Sequence, residues 1–256
     1  MLTFDQLSFG YHFPLLQNIN ITFAEGKITT IIGPNGCGKS TLLKLGAGLL
    51  RPQRGRILLQ GQNITQFRRK EYARRVSILL QSEAIPDVTV ETLVGHGRFP
   101  YRSYRRLGSG QDKTIIEAAM TTAHIAELRK KNLNQLSGGE RQRAFIAMAL
   151  AQDTPLLMLD EPTTYLDINH QLEIMALVRE LNNQGKTIVM VLHDLNLALH
   201  NSHRVILMQS GKIITAGTPE AVVQSGKIDQ VFQVKTASFL LDQHRFYVFR
   251  GKSHSD

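Results

Sequence analysis

The stretch "KITTIIGPNGCGKSTLLKLG", Lys27 to Gly46, decides the fold of this chain. Its first part is a short apolar, β-branched run ending at Gly33, the mark of a buried strand. From Lys39 the apolar spacing is that of a helix, closed by "RPQRG", where Pro52 and Gly55 mark a turn. Between the two, Gly33 to Ser40 fits the pattern G-x-x-x-x-G-K-[ST] in the strand–loop–helix setting that the pattern requires. Gly33, Gly36 and Gly38 let successive N–H groups curl around phosphates, with Pro34, Asn35 and Cys37 filling the loop. Lys39 supplies a point charge, the Ser40 hydroxyl can bind Mg2+, and Thr41 helps to hold a phosphate oxygen.

Two more runs behave like the first. "TPLLMLDEP" is apolar up to Leu159 and turns acidic at Asp160 and Glu161; "KTIVMVLHD" is apolar up to Leu192 and then gives His193 and Asp194. Continuous apolar strands joined by helical segments predict an α/β fold whose parallel sheet is covered on both faces. In such sheets ligands sit outside the carboxyl ends of the strands, and here three strands deliver polar residues at that end. Asp160 is then the carboxylate for Mg2+, directly or through a ligand of the ion, Glu161 the group that orients or deprotonates the attacking water, and His193 a hydrogen-bond donor to the γ-phosphate. Elsewhere "GRILLQGQNI" reads as a strand and turn, and Asp112 to Leu128 as one long helix. "GTPEAVV" is a helix start with Thr218 as cap and Pro219 at the first position. "SFLLDQHRFYVFR" reads as a hairpin turning at Asp242–Gln243.

With 256 residues the chain exceeds the usual single-domain length of ~100–200, so one large domain or a core with a subdomain is expected. At 42% hydrophobic and 20% charged it can build a core and is not a disordered chain. No apolar run approaches the ~18 residues of a membrane span, and "MLTFDQLSFGY" carries no secretory signal. One cysteine makes no internal disulfide, so a soluble protein of a reducing, cytoplasmic compartment is expected. The net charge of +9 concentrates in "RRKEYARR" (Arg68 to Arg75) and "RFPYRSYRR" (Arg98 to Arg106). These are either solvated faces or, through Phe99, Tyr101 and Tyr104, a place where bases could stack.

A second glycine pair lies in "NQLSGGERQRAFIAMALA", Asn134 to Ala151. Ser137 and Glu140 have the spacing of a capping box at a helix start. Capping accounts for neither Gly138 nor Gly139, which weaken a first turn. Two absent side chains suit a close approach to the backbone, such as a second phosphate would make.

With these motifs in order, the chain resembles the nucleotide-binding subunit of an ATP-binding cassette (ABC) transporter over nearly its whole length. The correspondence runs through Tyr11 in the aromatic, adenine-stacking position, the phosphate loop Gly33–Thr41, Gln81 in the glutamine loop and the signature Leu136–Arg143. It continues with Asp160–Glu161, the Asp167 loop and the switch His193. The resemblance implies a P-loop NTPase fold with a RecA-like core, an antiparallel β subdomain and an α-helical signature subdomain. It divides the chain into a core with β subdomain at 1–82 and 154–217, a helical subdomain at 83–153 and a C-terminal appendage at 218–256. It also implies ATP and Mg2+ as cofactors, with Ser40, Gln81 and Asp160 toward the metal. A head-to-tail homodimer follows, in which Ser137, Gly138, Gly139 and Glu140 face the γ-phosphate held by the other subunit. Each chain then carries halves of two composite sites.

Within the family, "VTVETLVGHGRFPY" (Val88 to Tyr101), "EPTTYLDINHQLE" and "MVLHDLNLA" resemble the importers of ferric siderophores, with haem and vitamin B12 importers as the nearest alternatives. The resemblance implies an ATPase bound peripherally to the cytoplasmic face of the cell (inner) membrane. Its partners would be integral permease subunits and, through them, a periplasmic or surface-anchored siderophore-binding protein, with no specific nucleic acid. A soluble ABC ATPase acting on ribosomes or DNA has only the positive charge in its favour. A small-molecule kinase would leave "LSGGERQR" unexplained.

Overall fold

The computed structural model describes residues 1–81, 85–101, 110–241 and 244–251. The chain folds as two units, Met1–Asn63 with Val189–Asp256, and Ile64–Ile188.

In the first unit, β1 (Leu2–Gly10) and β2 (Pro14–Phe23) pair antiparallel. After β3 (Ile28–Ile32) and α1 (Lys39–Gly46) come β4 (Arg54–Leu59) and β5 (Gln62–Asn63), completing a four-stranded sheet in the order β2-β1-β4-β5. Strict alternation would bury every second residue of β1, yet Leu2, Phe4, Leu7 and Phe9 are the buried ones. Gln6, at φ 48°, absorbs the extra residue, and the register with β2 shifts between Phe4 and Leu7. This bulge returns Leu7 to the core face.

The second unit opens with α2 (Arg69–Ala73) and β6 (Val76–Leu79), then α3 (Val90–His96), α4 (Gly110–Thr122) and α5 (Gly138–Ala151), which pack against one another. Next are β7 (Leu156–Asp160), parallel to β6 with Leu79 opposite Leu159, and α6 (Ile168–Asn183). The helix expected to run from Asp112 to Leu128 stops at Thr122. His124 turns left-handed at φ 54° and Ile125 N–H donates to Met120 O, a Schellman-type stop, before a separate 3₁₀ turn at Ala126–Leu128.

The strand β8 (Thr187–Val191) carries the chain back to the first unit. At its start Thr187 N–H donates to Pro155 O (2.9 Å), and beyond its end Leu192 N–H donates to Ile31 O (3.3 Å). After α7 (Leu195–Asn201), β9 (Arg204–Gln209) runs parallel to β3 and pairs antiparallel with β10 (Lys212–Gly217). Every residue of β3, β7 and β8 is buried, which is why these strands read as uninterrupted apolar runs. Then come α8 (Pro219–Gln224), α9 (Lys227–Phe232), β11 (Val234–Leu241) and β12 (His244–Gly251). Thr218 caps α8 as expected, its side chain accepting from Ala221 N–H. The last two strands form the expected hairpin, with Leu241 opposite His244; the turn residues 242–243 lie outside the described residues.

The basic stretches are not simply solvated. Arg98 is only 4% exposed; it donates to Asp112 Oδ1 (2.8 Å) and Ala151 O (2.9 Å), and its guanidinium lies 3.9 Å over the Tyr101 ring. Arg74 covers the same ring at 4.9 Å and donates to Pro100 O, so Tyr101 is already taken by arginines rather than open to a base. Tyr104 lies outside the described residues. Removing Asp112 would strand the Arg98 charge in the helical packing. Asp112→Ala is expected to lower stability by about 3 kcal/mol, and Arg98→Met, which removes the charge and keeps volume, by less. Urea-unfolding midpoints check the order.

Candidate functional site

In the first unit the phosphate loop leaves β3 at Gly33. A Cβ there would run into Met208 O and come within 2.9 Å of Cys37 Sγ, so only glycine fits between β9 and the loop. Cys37 is buried, and that burial pushes its thiol pKa up, only partly countered by Lys39. Lys39, 5% exposed, folds back so that its Nζ donates to Gly33 O (2.8 Å) and Pro34 O (3.0 Å). The start of α1 has Gly38 at φ 102°, no side-chain cap and no acidic residue in its first turn. A buried ammonium held on carbonyls, beside a helix start whose N-cap is a glycine, suits a polyphosphate anion. Thr41 is buried, Ser40 half-buried, and Asn35 and Gly36 exposed at the loop tip.

Two further expected residues belong to this unit. Tyr11 is 57% exposed, its ring edge-on to Phe9 at 5.0 Å, so one face remains available for stacking. His193 follows β8 and is exposed; the bond from Leu192 to Ile31 brings it off the sheet alongside the strand that enters the loop. Asp194 caps α7 by accepting from Leu197 N–H (2.8 Å).

In the second unit the parallel register of β6 and β7 sends Gln81, Asp160 and Glu161 off the same end of the sheet. These three line one cavity of about 420 Å³ together with Gly138, Arg141 and Gln142 of α5. Asp160 is buried at the last position of β7. Glu161 has the left-handed φ of 54° that a non-glycine residue seldom adopts, and its Oε2 accepts from Thr164 Oγ1 (3.2 Å). The structure thus joins Gln81, the acidic pair and the start of α5 within one unit.

The start of α5 is a capping box: Ser137 Oγ accepts from Glu140 N–H (3.2 Å) and Glu140 Oε2 from Ser137 N–H (2.8 Å). That backbone hydrogen bond is the main reason the Glu140 carboxyl lies below its ordinary pKa. Arg141 ties the preceding turn, donating to Leu133 O and Leu136 O. Asp167 caps α6 through His170 N–H (2.9 Å), and this bond leads the depression of its pKa. His170 was not among the expected site residues. Its ring is bonded to Asp167 and lies against Gly139, and its only local signal is the spacing Asp-x-x-His in "DINH".

The family model described as "ABC transporter" matches residues 16–164. The chain belongs to the ABC transporter family. The family chain is 46% identical over 237 residues to the iron(3+)-hydroxamate import ATP-binding protein FhuC of Bacillus subtilis (strain 168), covering 91% of this chain and 88% of that one. It is 40% identical over 234 residues to the ferric enterobactin transport ATP-binding protein FepC of Escherichia coli (strain K12), covering 90% and 86%. Among solved structures, the bacterial ABC transporter cassette MJ0796, determined as a dimer, superposes with a TM-score of 0.76 at 28% identity, over 86% of this chain and 99% of that one. The α/β architecture is therefore the P-loop fold of ABC ATPases, and this ABC protein is a nucleotide-binding ATPase. Among the described residues, no helix is long and apolar enough to cross a membrane.

Proposed function

We propose that this chain is the ATP-hydrolysing subunit that energises import of ferric siderophores through a separate permease at the cytoplasmic face of the cell membrane. The observation that carries the reading is the identity of 46% and 40%, across nine-tenths of the chain, to ATP-binding proteins named for two different ferric chelates. Two different chelates among such relatives favour the class over any one compound. An external siderophore-binding protein acting through the permease completes the proposed machine, and nucleic acid has no specific part in it.

In this reading Lys39, Thr41 and the N–H groups of Gly33 and of Asn35 to Gly38 hold the phosphates, and Tyr11 stacks on the adenine. Ser40, Gln81 and Asp160 are the proposed oxygen donors toward Mg2+, and phosphate and water would complete its shell. Mg2+ supplies charge neutralisation at the phosphates. Glu161 receives the proton of the attacking water, Gln81 orients that water and His193 donates to the γ-phosphate. Ser137 to Glu140 and Asp167 act toward the nucleotide of a second copy. The dimer finds support in apolar exposure beside Asp167: Tyr165 in the turn before α6, and Ile168 and Leu172 one turn apart on it, are 89%, 71% and 54% exposed. We assign residues 83–153 to permease contact, 1–82 and 154–217 to the nucleotide core and 218–256 to an appendage.

The test is uptake of labelled ferric hydroxamate, ferric enterobactin, haem and vitamin B12 in cells deleted for this protein and complemented with it. Loss and recovery of a ferric siderophore alone is the expected result. Selective loss of haem or vitamin B12 uptake, or of none of the four, would overturn the proposal.

A further inference from the structure

The two signature glycines are not equivalent. A Cβ at Gly138 would lie 3.5 Å from Leu166 Cδ2, an ordinary contact. A Cβ at Gly139 would fall within the imidazole of His170, 2.6 Å from Cγ and 2.7 Å from Nε2. Alanine is the better helix former, so Gly139 owes its place in the first turn of α5 to the space that the ring needs.

The ring is also held from its far side. His170 Nδ1 lies 2.8 Å from Asp167 Oδ1 and 2.9 Å from Oδ2, while His170 N–H donates to Oδ1 at 2.9 Å. A proton on Nδ1 directed at that carboxylate turns the Cδ2–Nε2 edge toward Gly139. One carboxylate thereby caps α6 and clamps the ring that seats the start of α5. A second tie runs between the same helices, from Arg143 to Glu173.

We propose that His170 is a positioning residue for ATP hydrolysis: clamped by Asp167 and seated on Gly139, it sets where the first turn of α5 stands relative to the loop that carries Asp167. The proposal rests on the ATPase reading above. Donors that meet a phosphate must be placed to within a few tenths of an ångström, and a side chain wedged against backbone fixes them more firmly than a hydrogen bond between mobile groups. None of the phosphate-loop residues is involved. Nucleotide affinity of the single chain should therefore survive loss of the ring, while turnover should fall.

The test is a double-mutant cycle on the full-length protein, using Gly139→Ala, His170→Ala and the pair. A fluorescent ATP analogue gives affinity, phosphate release gives kcat, and urea midpoints give stability. Gly139→Ala should lower kcat about tenfold and His170→Ala about threefold, both with the affinity of the monomeric chain for its own nucleotide unchanged, and the pair should return to the level of His170→Ala alone. If Gly139→Ala does not fold, recovery of folded protein in the pair is the same result. A pair no better than Gly139→Ala would mean that the glycine serves some other approach, and His170→Ala with the parent kcat would mean that the ring positions nothing. Absence of ATP hydrolysis in the parent would instead remove the reading beneath the proposal, and the urea cycle would still decide whether the ring sets the glycine.

Discussion

Glu161→Gln is expected to slow ATP hydrolysis at least a hundredfold while leaving ATP binding intact and allowing a stable, nucleotide-dependent dimer to accumulate. The substitution keeps the length of the side chain, and its amide oxygen can still accept from Thr164 Oγ1, which now bonds Glu161 Oε2 at 3.2 Å. The left-handed backbone at φ 54° is also unchanged, because it belongs to the turn after β7. What disappears is the ability to receive a proton. Light scattering with Mg-ATP, on the chain alone and with its permease, reads the dimer, and phosphate release reads turnover. A variant that turns over at the parent rate, or stays monomeric in both settings, would take Glu161 out of the proposed role.

Lys39→Ala is expected to weaken ATP binding by about ten- to a hundredfold, the worth of a hydrogen bond to a charged group, and to abolish measurable turnover. The loss has two parts. The ammonium no longer meets the phosphates, and Gly33 O and Pro34 O lose the donor that now lies 2.8 and 3.0 Å away. Lys39→Arg should fail almost as badly, since a planar fork does not replace a compact charge in a loop this closely wrapped. Titration with a fluorescent ATP analogue separates binding from chemistry. Parent-like affinity and rate in Lys39→Ala would put the nucleotide elsewhere in the chain.

The parts of the fold most legible in the sequence were those where one requirement dominates. β3, β7 and β8 are buried on both faces, so their apolar runs could hardly be anything else; β3 is closed by Gly33, β7 ends at Asp160, and His193 follows β8. β1 was illegible for the opposite reason: Gln6 interrupts its alternation with a bulge that depends on pairing partners far along the chain. α4 stopped early because His124 took a left-handed conformation, which histidine shows in its sequence neighbourhood only weakly. In the candidate site, the loop around Lys39 was legible because every position of its motif has a local function. Arg98 was not, since its burial depends on Asp112 and the end of α5, and a charged run looks solvated until its partners are known. Gly139 was read as room for a ligand; the structure puts the His170 ring there, supplied by another helix.

The two helix starts also differ in readiness. At α1 the N-cap is Gly38, which has no side chain to cap the helix, so a phosphate arriving there meets no capping group. At α5 the chain already satisfies itself: Ser137 Oγ serves the N–H of Glu140, and the Glu140 carboxylate sits on the N–H of Ser137, ionised more readily than usual because of that bond. In the proposed roles, phosphate would have to share the hydroxyl and approach a like charge. The first grip on nucleotide is then free of a capping rival, while the second is a contested hold. A clutch of this kind favours prompt separation once the γ-phosphate is cleaved, and it makes the release of two copies, rather than their meeting, the easier half of the cycle.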